Sequence, residues 1–453
     1  MADVLPFAGT RFNTREHSLD LAKILAPPYD VISPELQKEL LDRDPHNMVR
    51  LSYGLELPGD DEFNNRYTRA AESYKDWKLR NILTDEQRKC FYVYEHEFTL
   101  PNHKKRFTRR GFFALVKLQD YRSGKIRAHE MTFRAPKQDR LRLLKACQVN
   151  LEPLFILYQD EDSALDTILK EAVDAKPNEE LMDPQGDGHR LWLIHKKEPI
   201  LSINNAMKPK RLYIADGHHR YEAALQYRDE MREMTGRRDG RQPYDFIMMY
   251  LNSVNDEALF TSATHRVLAR DLGADVDMEE VMEDLEEFFE VKDFKIDLND
   301  LDKATAAVNK VLDAKKGTKG TRFIMVLPGG KAYDLRLKKG VDYDDMIDQE
   351  FMSDLVKQQD ITILHRFVIA RGWIGNPEVE LDEGDITYCR EIPEALDLIR
   401  RRRGCVAFIM NPMEKDKVLE IAENGELLPH NSTYFFPKVQ SGLVLRDLQV
   451  GFG

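Results

Sequence analysis

Asp216-Gly217-His218-His219-Arg220 gathers a carboxylate, two imidazoles and a guanidinium within five residues. The preceding Leu212-Tyr213-Ile214-Ala215 reads as a short apolar strand, and Tyr221 onward reads as a helix. The pattern therefore sets ionisable side chains where a strand hands over to a helix N-terminus. Such a terminus offers unpaired N–H groups and a partial positive charge, which suit an anion such as phosphate. Gly217 lets the backbone turn sharply and approach a ligand. Asp216 could accept a proton from a hydroxyl or bind a hydrated Mg²⁺. Successive helical residues point about 100° apart, so one of His218 and His219 is expected to bind while the other orients or packs. A simpler reading has Asp216 capping the helix with both imidazoles in water. The attached His-His-Arg favours a functional site.

Two further groups could supply chemistry. His129-Glu130 pairs a candidate base with an imidazole, and Lys137 and Arg140, beside Asp139, could neutralise phosphate oxygens. The third group joins Thr264-His265-Arg266 to the C-terminal Ser432-Thr433-Tyr434-Phe435-Phe436-Pro437-Lys438. Lys438 reads equally as a ligand cation or as a lysine at the end of a core strand. His365-Arg366 lies in a helical pattern and is read as structural. The chain has no GxxxxGK[ST] loop, no GxGxxG after a strand, no HExxH and no GxSxG elbow. Phosphate chemistry here would proceed without a P-loop or the protein-kinase motifs.

The elements expected to position these groups alternate irregularly. Pro27-Pro28 imposes an extended or turning backbone. Helical spacing spans 35–41 and 67–79. Strands are expected at 90–100 and 106–118 around a turn at 101–104, with Phe112–Val116 buried on both faces. A helix with Pro136 in its first turn runs to about Cys147. Strands follow at 155–158 and 191–194, then the His-His-Arg helix to about Gly236 and a strand at 246–251. Beyond residue 272, Met278, Val281, Met282, Leu285, Phe288 and Phe289 recur at helical spacing, with seven acidic residues between 279 and 290. That segment predicts a surface helix, acidic outside. Strands at 322–327, 332–337 and 406–410 and a helix at 345–358 complete the series. Without a regular βα period, the expected class is α+β, a mixed α/β fold. Two domains are expected: 1–272 holding the phosphate-binding core, and 273–453 an α/β subdomain completing the site.

At 453 residues the chain has room for both. Its 42% hydrophobic and 32% charged content is that of a globular protein in water. No run approaches the ~20 apolar residues of a membrane span, and Met1–Phe7 lacks the pattern of a secretory signal. Four scattered cysteines argue against a zinc site or a disulfide framework and suit the cytoplasm. A net charge of −12 disfavours nucleic acid as a partner. Arg400–Arg403 reads as a solvated helix end rather than a DNA patch.

The quoted motifs resemble a widespread bacterial and archaeal family known as a domain of unknown function. The resemblance runs from Leu5-Pro6-Phe7 through Ala26-Pro27-Pro28-Tyr29-Asp30-Val31-Ile32, His129-Glu130-x-Thr132 and Pro136-Lys137-x-Asp139-Arg140-Leu141. It continues through Ala215–Glu222 and Thr264-His265-Arg266 to Ser432–Lys438. The Asp-Gly-His-His-Arg segment is similar to the Gly-x-x-Arg signature of the ParB/sulfiredoxin superfamily, in the version found in free-serine kinases. That resemblance implies a ParB/sulfiredoxin-like core and transfer of phosphate from ATP, ADP or pyrophosphate, with Mg²⁺, to the hydroxyl of free L-serine or a similar metabolite. It implies that Asp216–Arg220 bind phosphate and serine and that an upstream glutamate, assigned to Glu130, acts as base. His218 is counted with Glu130 and Asp216 as catalytic. His129, Thr132, Lys137, Arg140, Gly217, His219, Arg220, His265, Arg266 and Lys438 are counted as binding residues. Glu130 stands at a different spacing from its counterpart in the shorter kinases. The competing reading is a non-catalytic nucleotide-binding regulator of the same superfamily. A sulfiredoxin-like reductase would need a cysteine beside the phosphate loop, and Ala215–Glu222 has none.

Overall fold

Strand Arg106–Lys117 alternates side chains that bury on opposite faces, and the chain builds its larger sheet around it. The computed structural model describes residues 3–101, 104–274, 276–313, 320–347, 352–376, 379, 381 and 384–450. The chain divides into two compact units. The first comprises Met1–Ala128, Thr132–Phe260 and Phe435–Gly453; the second comprises His129–Met131 and Thr261–Tyr434. The fold is mixed α/β.

In the first unit nine strands form one sheet. Its order is Ile126–Arg127, Leu212–Asp216, Leu154–Tyr158, Phe246–Ser253, Arg106–Lys117, Phe91–Thr99, Gly188–Ile194 and Glu179–Met182, with Val4–Leu5 paired to Arg106–Lys117 off that path. Leu212–Asp216 runs parallel to Ile126–Arg127, and Leu154–Tyr158 parallel to Phe246–Ser253; the other pairs are antiparallel. One face is apolar. There Val93, Phe112, Ala114, Ile156, Met249 and Leu251 pack with Leu165 and Leu169 of helix Ala164–Val173, Ile203 and Met207 of helix Lys197–Met207, and Tyr221 and Ala224 of helix His218–Thr235. The opposite face is aromatic and polar, carrying Tyr94, Phe113, Phe155 and Tyr250 with ring centroids 5.4–5.7 Å apart.

The N-terminal helices form a separate cluster in the same unit. Ser33 caps helix Pro34–Arg43 by accepting from Leu36 N at 3.1 Å, with Pro34 in the first turn. Asn65 and Thr68 form a capping box at the start of helix Arg66–Leu79. Ile24, Leu40, Val49, Ala70, Tyr74 and Trp77 bury together. The Pro27-Pro28 segment leads into a single 3₁₀ turn, Tyr29–Val31. The turn expected at 101–104 lies partly outside the described residues.

The second unit is built on a six-stranded antiparallel sheet, ordered Phe289–Lys295, Lys331–Leu337, Arg322–Val326, Gly404–Met410, His265–Ala269 and Ile386–Cys389. Helix Met278–Phe288 buries Val281, Leu285 and Phe288 and exposes Glu279, Glu280, Glu283, Glu286 and Glu287. It stops two residues before the expected end, because Phe289 and Glu290 pair with Leu337 and Arg336 as the start of a strand. The helix expected at 345–358 appears as two single turns, Tyr343–Met346 and Asp354–Lys357, with 348–351 outside the described residues. His365-Arg366 sits in Ile363–Trp373, which winds as a π-helix rather than an α-helix. Arg400 ends helix Ile392–Arg400, where it and Arg401 pair with Asp397.

Candidate functional site

The strand-to-helix turn of the first unit centres on Gly217. Its φ of +97° is left-handed, and an added Cβ would stand 3.1 Å from Arg220 Nε. Glycine alone meets both demands without strain. Helix His218–Thr235 starts with no side-chain cap, and its first bond runs from Tyr221 N to Gly217 O at 2.9 Å. The backbone N–H groups of residues 218–220 therefore have no acceptor within the helix. Asp216 does not cap them. Its Oδ2 accepts from Arg220 Nη2 at 2.5 Å, and its Oδ1 from Lys438 Nζ.

The charges extend inward from this pair. Lys438 Nζ also reaches Asp30 Oδ2 at 3.2 Å. Arg220 Nη1 donates to Pro153 O at 2.5 Å and lies 3.9 Å from Glu152 Oε2, the same distance at which Arg140 Nη1 stands on the other side. Glu152 is buried and accepts from Tyr29 N at 3.0 Å. Burial pushes its carboxyl upward, with Arg220 and Arg140 pulling the other way. Arg140 stacks 3.9 Å above the Tyr29 ring, bonds Asp139, and donates to Ser52 O at 2.9 Å. Between Arg140, Glu152 and Arg220 lies a cavity of about 50 Å³, room for a few waters.

Three expected residues gather farther along the same helix. Thr132 Oγ1 donates to Glu222 Oε2 at 2.8 Å, and Lys137 Nζ approaches the same oxygen at 3.3 Å. His219 Nε2 accepts from Phe133 N at 3.0 Å, beside the start of helix Arg134–Cys147. His218 is buried and His219 half-buried, so the two imidazoles diverge as helix geometry requires.

His129, Glu130, His265 and Arg266 belong to the second unit. Glu130 Oε1 accepts from Thr433 N at 2.7 Å and from Thr433 Oγ1 at 2.8 Å, while His129 Nε2 stands 2.8 Å from the same hydroxyl. His265 Nδ1 accepts from Met410 N at 3.4 Å, and burial followed by the Arg266 charge lowers its pKa to about 4. Arg266 is fully buried, donating to Thr264 O and, at 2.7 Å, to Asn431 O. Burial lowers its pKa to about 10.

Within the first unit, then, Asp216, Gly217, Arg220 and Lys438 are in direct contact, Arg140 is joined to them through Glu152, and Thr132, Lys137 and His219 form the neighbouring group. Asp30, Tyr29, Glu152 and Glu222 join these groups without having been expected as site residues. Asp30 had a signal, an acid held by two prolines; Glu152 had none.

The chain belongs to the family described as protein of unknown function (DUF1015), whose model matches residues 4–362. No curated protein matches it. Among solved structures it is similar to a free serine kinase in complex with AMP, at 13% identity over 76% of this chain and 97% of that one, with a TM-score of 0.34. A conserved hypothetical protein from Pyrococcus furiosus aligns at 12% identity over 74% and 95% of the two chains, TM-score 0.35. SbnI with a C-terminal truncation, from Staphylococcus aureus, aligns at 10% over 75% and 90%, TM-score 0.33.

Proposed function

We propose that this protein is a small-molecule phosphotransferase with a ParB/sulfiredoxin-like core. It moves phosphate from ATP, ADP or pyrophosphate to the hydroxyl of free L-serine or a similar metabolite, in the cytoplasm. One observation carries the reading: two cations, Arg220 and Lys438, converge on Asp216 beside an uncapped helix start at Gly217. Phosphoryl transfer is mostly positioning and electrostatics, and it needs cations around the transferred group and a base near the acceptor hydroxyl. An arriving phosphate would meet the positive end of the helix dipole at its Gly217 start. It would compete with Asp216 for Arg220 and Lys438, freeing a carboxylate oxygen to take the hydroxyl proton. Asp216 and Glu130 are the two carboxylates proposed for that task.

Mg²⁺ does not fit Asp216 as the carboxylate now stands, since both oxygens are held by cations. Among the described residues no group of three or more His, Cys, Asp or Glu is arranged around a metal position. In this proposal Mg²⁺ is bound by the donor's phosphates, and no step is routed through it.

A reductase reading lacks a reactive thiol. Burial pushes Cys90, Cys147 and Cys389 up to about 12 and Cys405 to about 11. Partners remain small molecules in this proposal. Among the described residues no helix is long and apolar enough to cross a membrane.

The test is to incubate the protein and Mg²⁺ with ATP, ADP or pyrophosphate and a panel of amino acids, and to follow phosphorus by NMR. Appearance of a phosphate ester on a hydroxy amino acid is expected. Donor binding with no consumption of any donor would replace the kinase with the non-catalytic nucleotide-binding regulator.

A further inference from the structure

The aromatic face of the first unit's sheet carries a second polar group. Arg109, His96 and His189 are ladder partners on three adjacent strands, Arg109 opposite His96 and His96 opposite His189. All three are buried. His189 is fully committed, with Nδ1 2.7 Å from the Tyr94 hydroxyl and Nε2 3.2 Å from Asp183 Oδ2. Arg109 is not. Its Nε, Nη1 and Nη2 are all buried, and among the described residues none has an acceptor in hydrogen-bond geometry. The guanidinium lies 4.7 Å over the Phe155 ring and 5.8 Å over that of Tyr250. The Tyr250 hydroxyl, also buried, is a neighbouring acceptor: burial pushes it upward, with the Arg109 charge and the approach of Arg109 as a side-chain donor pulling the other way. Aromatic faces attract a cation but leave its N–H groups unsatisfied, and a desolvated charge is costly unless both needs are met.

The missing partner can be read from the neighbouring atoms. A planar fork of N–H donors matches two oxygens of a carboxylate or phosphate. His96 Nε2 is 2.9 Å from Asp187 Oδ2, and burial followed by the His189 and Arg109 charges holds this imidazole neutral. Nε2–H therefore donates to Asp187, leaving Nδ1 as an acceptor, buried and without a partner among the described residues. Asn252 spends its amide nitrogen on Arg110 O and Asp256, leaving its buried Oδ1 as a second open acceptor. Opposite Asn252 stands Gly111, where a Cβ would come within 2.5 Å of the Tyr250 ring; the strand is bare where Tyr250 needs space. The face thus offers a cationic fork together with acceptors for a donor group. An organic acid bearing an amino or hydroxyl group complements both.

We propose that Arg109 binds the carboxylate of a small α-amino or α-hydroxy acid, with Asn252 Oδ1 and His96 Nδ1 accepting from its amino or hydroxyl group. The assignment rests on the phosphotransferase reading for what happens to that acid, not for its binding. Phe155, under the guanidinium, is the ladder partner of Asp216. That pairing follows a bulge between Ile214 and Asp216, and it sets Phe155, with the guanidinium over it, beside the strand that carries Asp216.

Titration calorimetry on the full chain tests this with L-serine, L-lactate, ethanolamine and inorganic phosphate, comparing wild type with Arg109→Met and Arg109→Lys. Saturable binding of L-serine or L-lactate is expected, with ethanolamine, which lacks the carboxylate, at least about tenfold weaker. Arg109→Met should lose at least tenfold for the acids while melting no lower than wild type, since it removes a desolvated charge. Should that variant fail to fold, Arg109→Lys keeps the charge, loses the fork and should show the same weakening. Unchanged affinity in either folded variant overturns the proposal. So does wild type that binds neither acid, or that binds phosphate alone through Arg109. The phosphorus assay is read separately. Acids bound through Arg109 without transfer would sink only the kinase, whereas transfer with an unchanged acceptor KM in Arg109→Met would sink only this assignment.

Discussion

Lys438 and Asp216 form an ion pair across 222 residues of sequence, and Arg220 holds the carboxylate's other oxygen from one helical turn away. The pair brings the C-terminal segment around Lys438 onto the Gly217 turn. Both side chains are about nine-tenths buried, so solvent screens the interaction little.

Replacing Lys438 by Met should leave Asp216 with one cation and Asp30 with none of its Lys438 bond. A loss of about 1–3 kcal/mol is expected for a hydrogen-bonded charge of this burial. Phosphotransfer should fall further than stability does, because the same cation is proposed to meet the transferred phosphate. Urea denaturation and initial rates, measured on one preparation, check both. Full activity with normal stability would reduce Lys438 to a strand-end lysine.

Gly217→Ala should cost about 1–2 kcal/mol from the left-handed backbone alone, and the added methyl would displace the Arg220 guanidinium from its 3.1 Å approach. Donor affinity should drop with it. Calorimetric binding of ADP to the folded variant is the measurement, and wild-type affinity would show that the turn's geometry is not needed for the phosphate.

Glu130→Gln should lower turnover by about 10²–10⁴-fold if Glu130 takes the acceptor proton, with donor binding retained. The amide keeps one oxygen for the two Thr433 bonds, so folding should persist. A fully active variant would remove Glu130 and leave Asp216 as the base.

His265 gives a pH prediction for the second unit. Its folded pKa is lowered from 6.5 to about 4, with burial the main cause. Between those values the unfolded chain binds a proton that the folded chain does not, so stability rises with pH through this window. The contribution is complete above about pH 6.5 and is lost as pH falls toward 4, amounting to at most roughly 3 kcal/mol. Denaturant melts at pH 7.5 and 4.5 should show a smaller difference in His265→Gln than in wild type. Equal differences would mean that His265 is not buried neutral.

Much of this protein is local and was legible. Alternating and helical periods located Phe91–Thr99, Arg106–Lys117, His218–Thr235 and Met278–Phe288 to within a few residues, because each pattern must bury one face. Gly217 and the helix start after it were readable because a left-handed turn tolerates little else. The tertiary structure decided the partners. Asp216 reads as a helix cap in sequence, yet a carboxylate goes where cations are, and Lys438 and Arg220 outcompete the helix N–H groups. Arg109 gave no signal among the charged residues of a strand, since its register against His96 and its place over Phe155 exist only once three strands pair. Spacing along a chain reports what neighbours within one element share. Contacts between strands and termini hundreds of residues apart leave no period to read, and there the folded chain alone determines which charges meet.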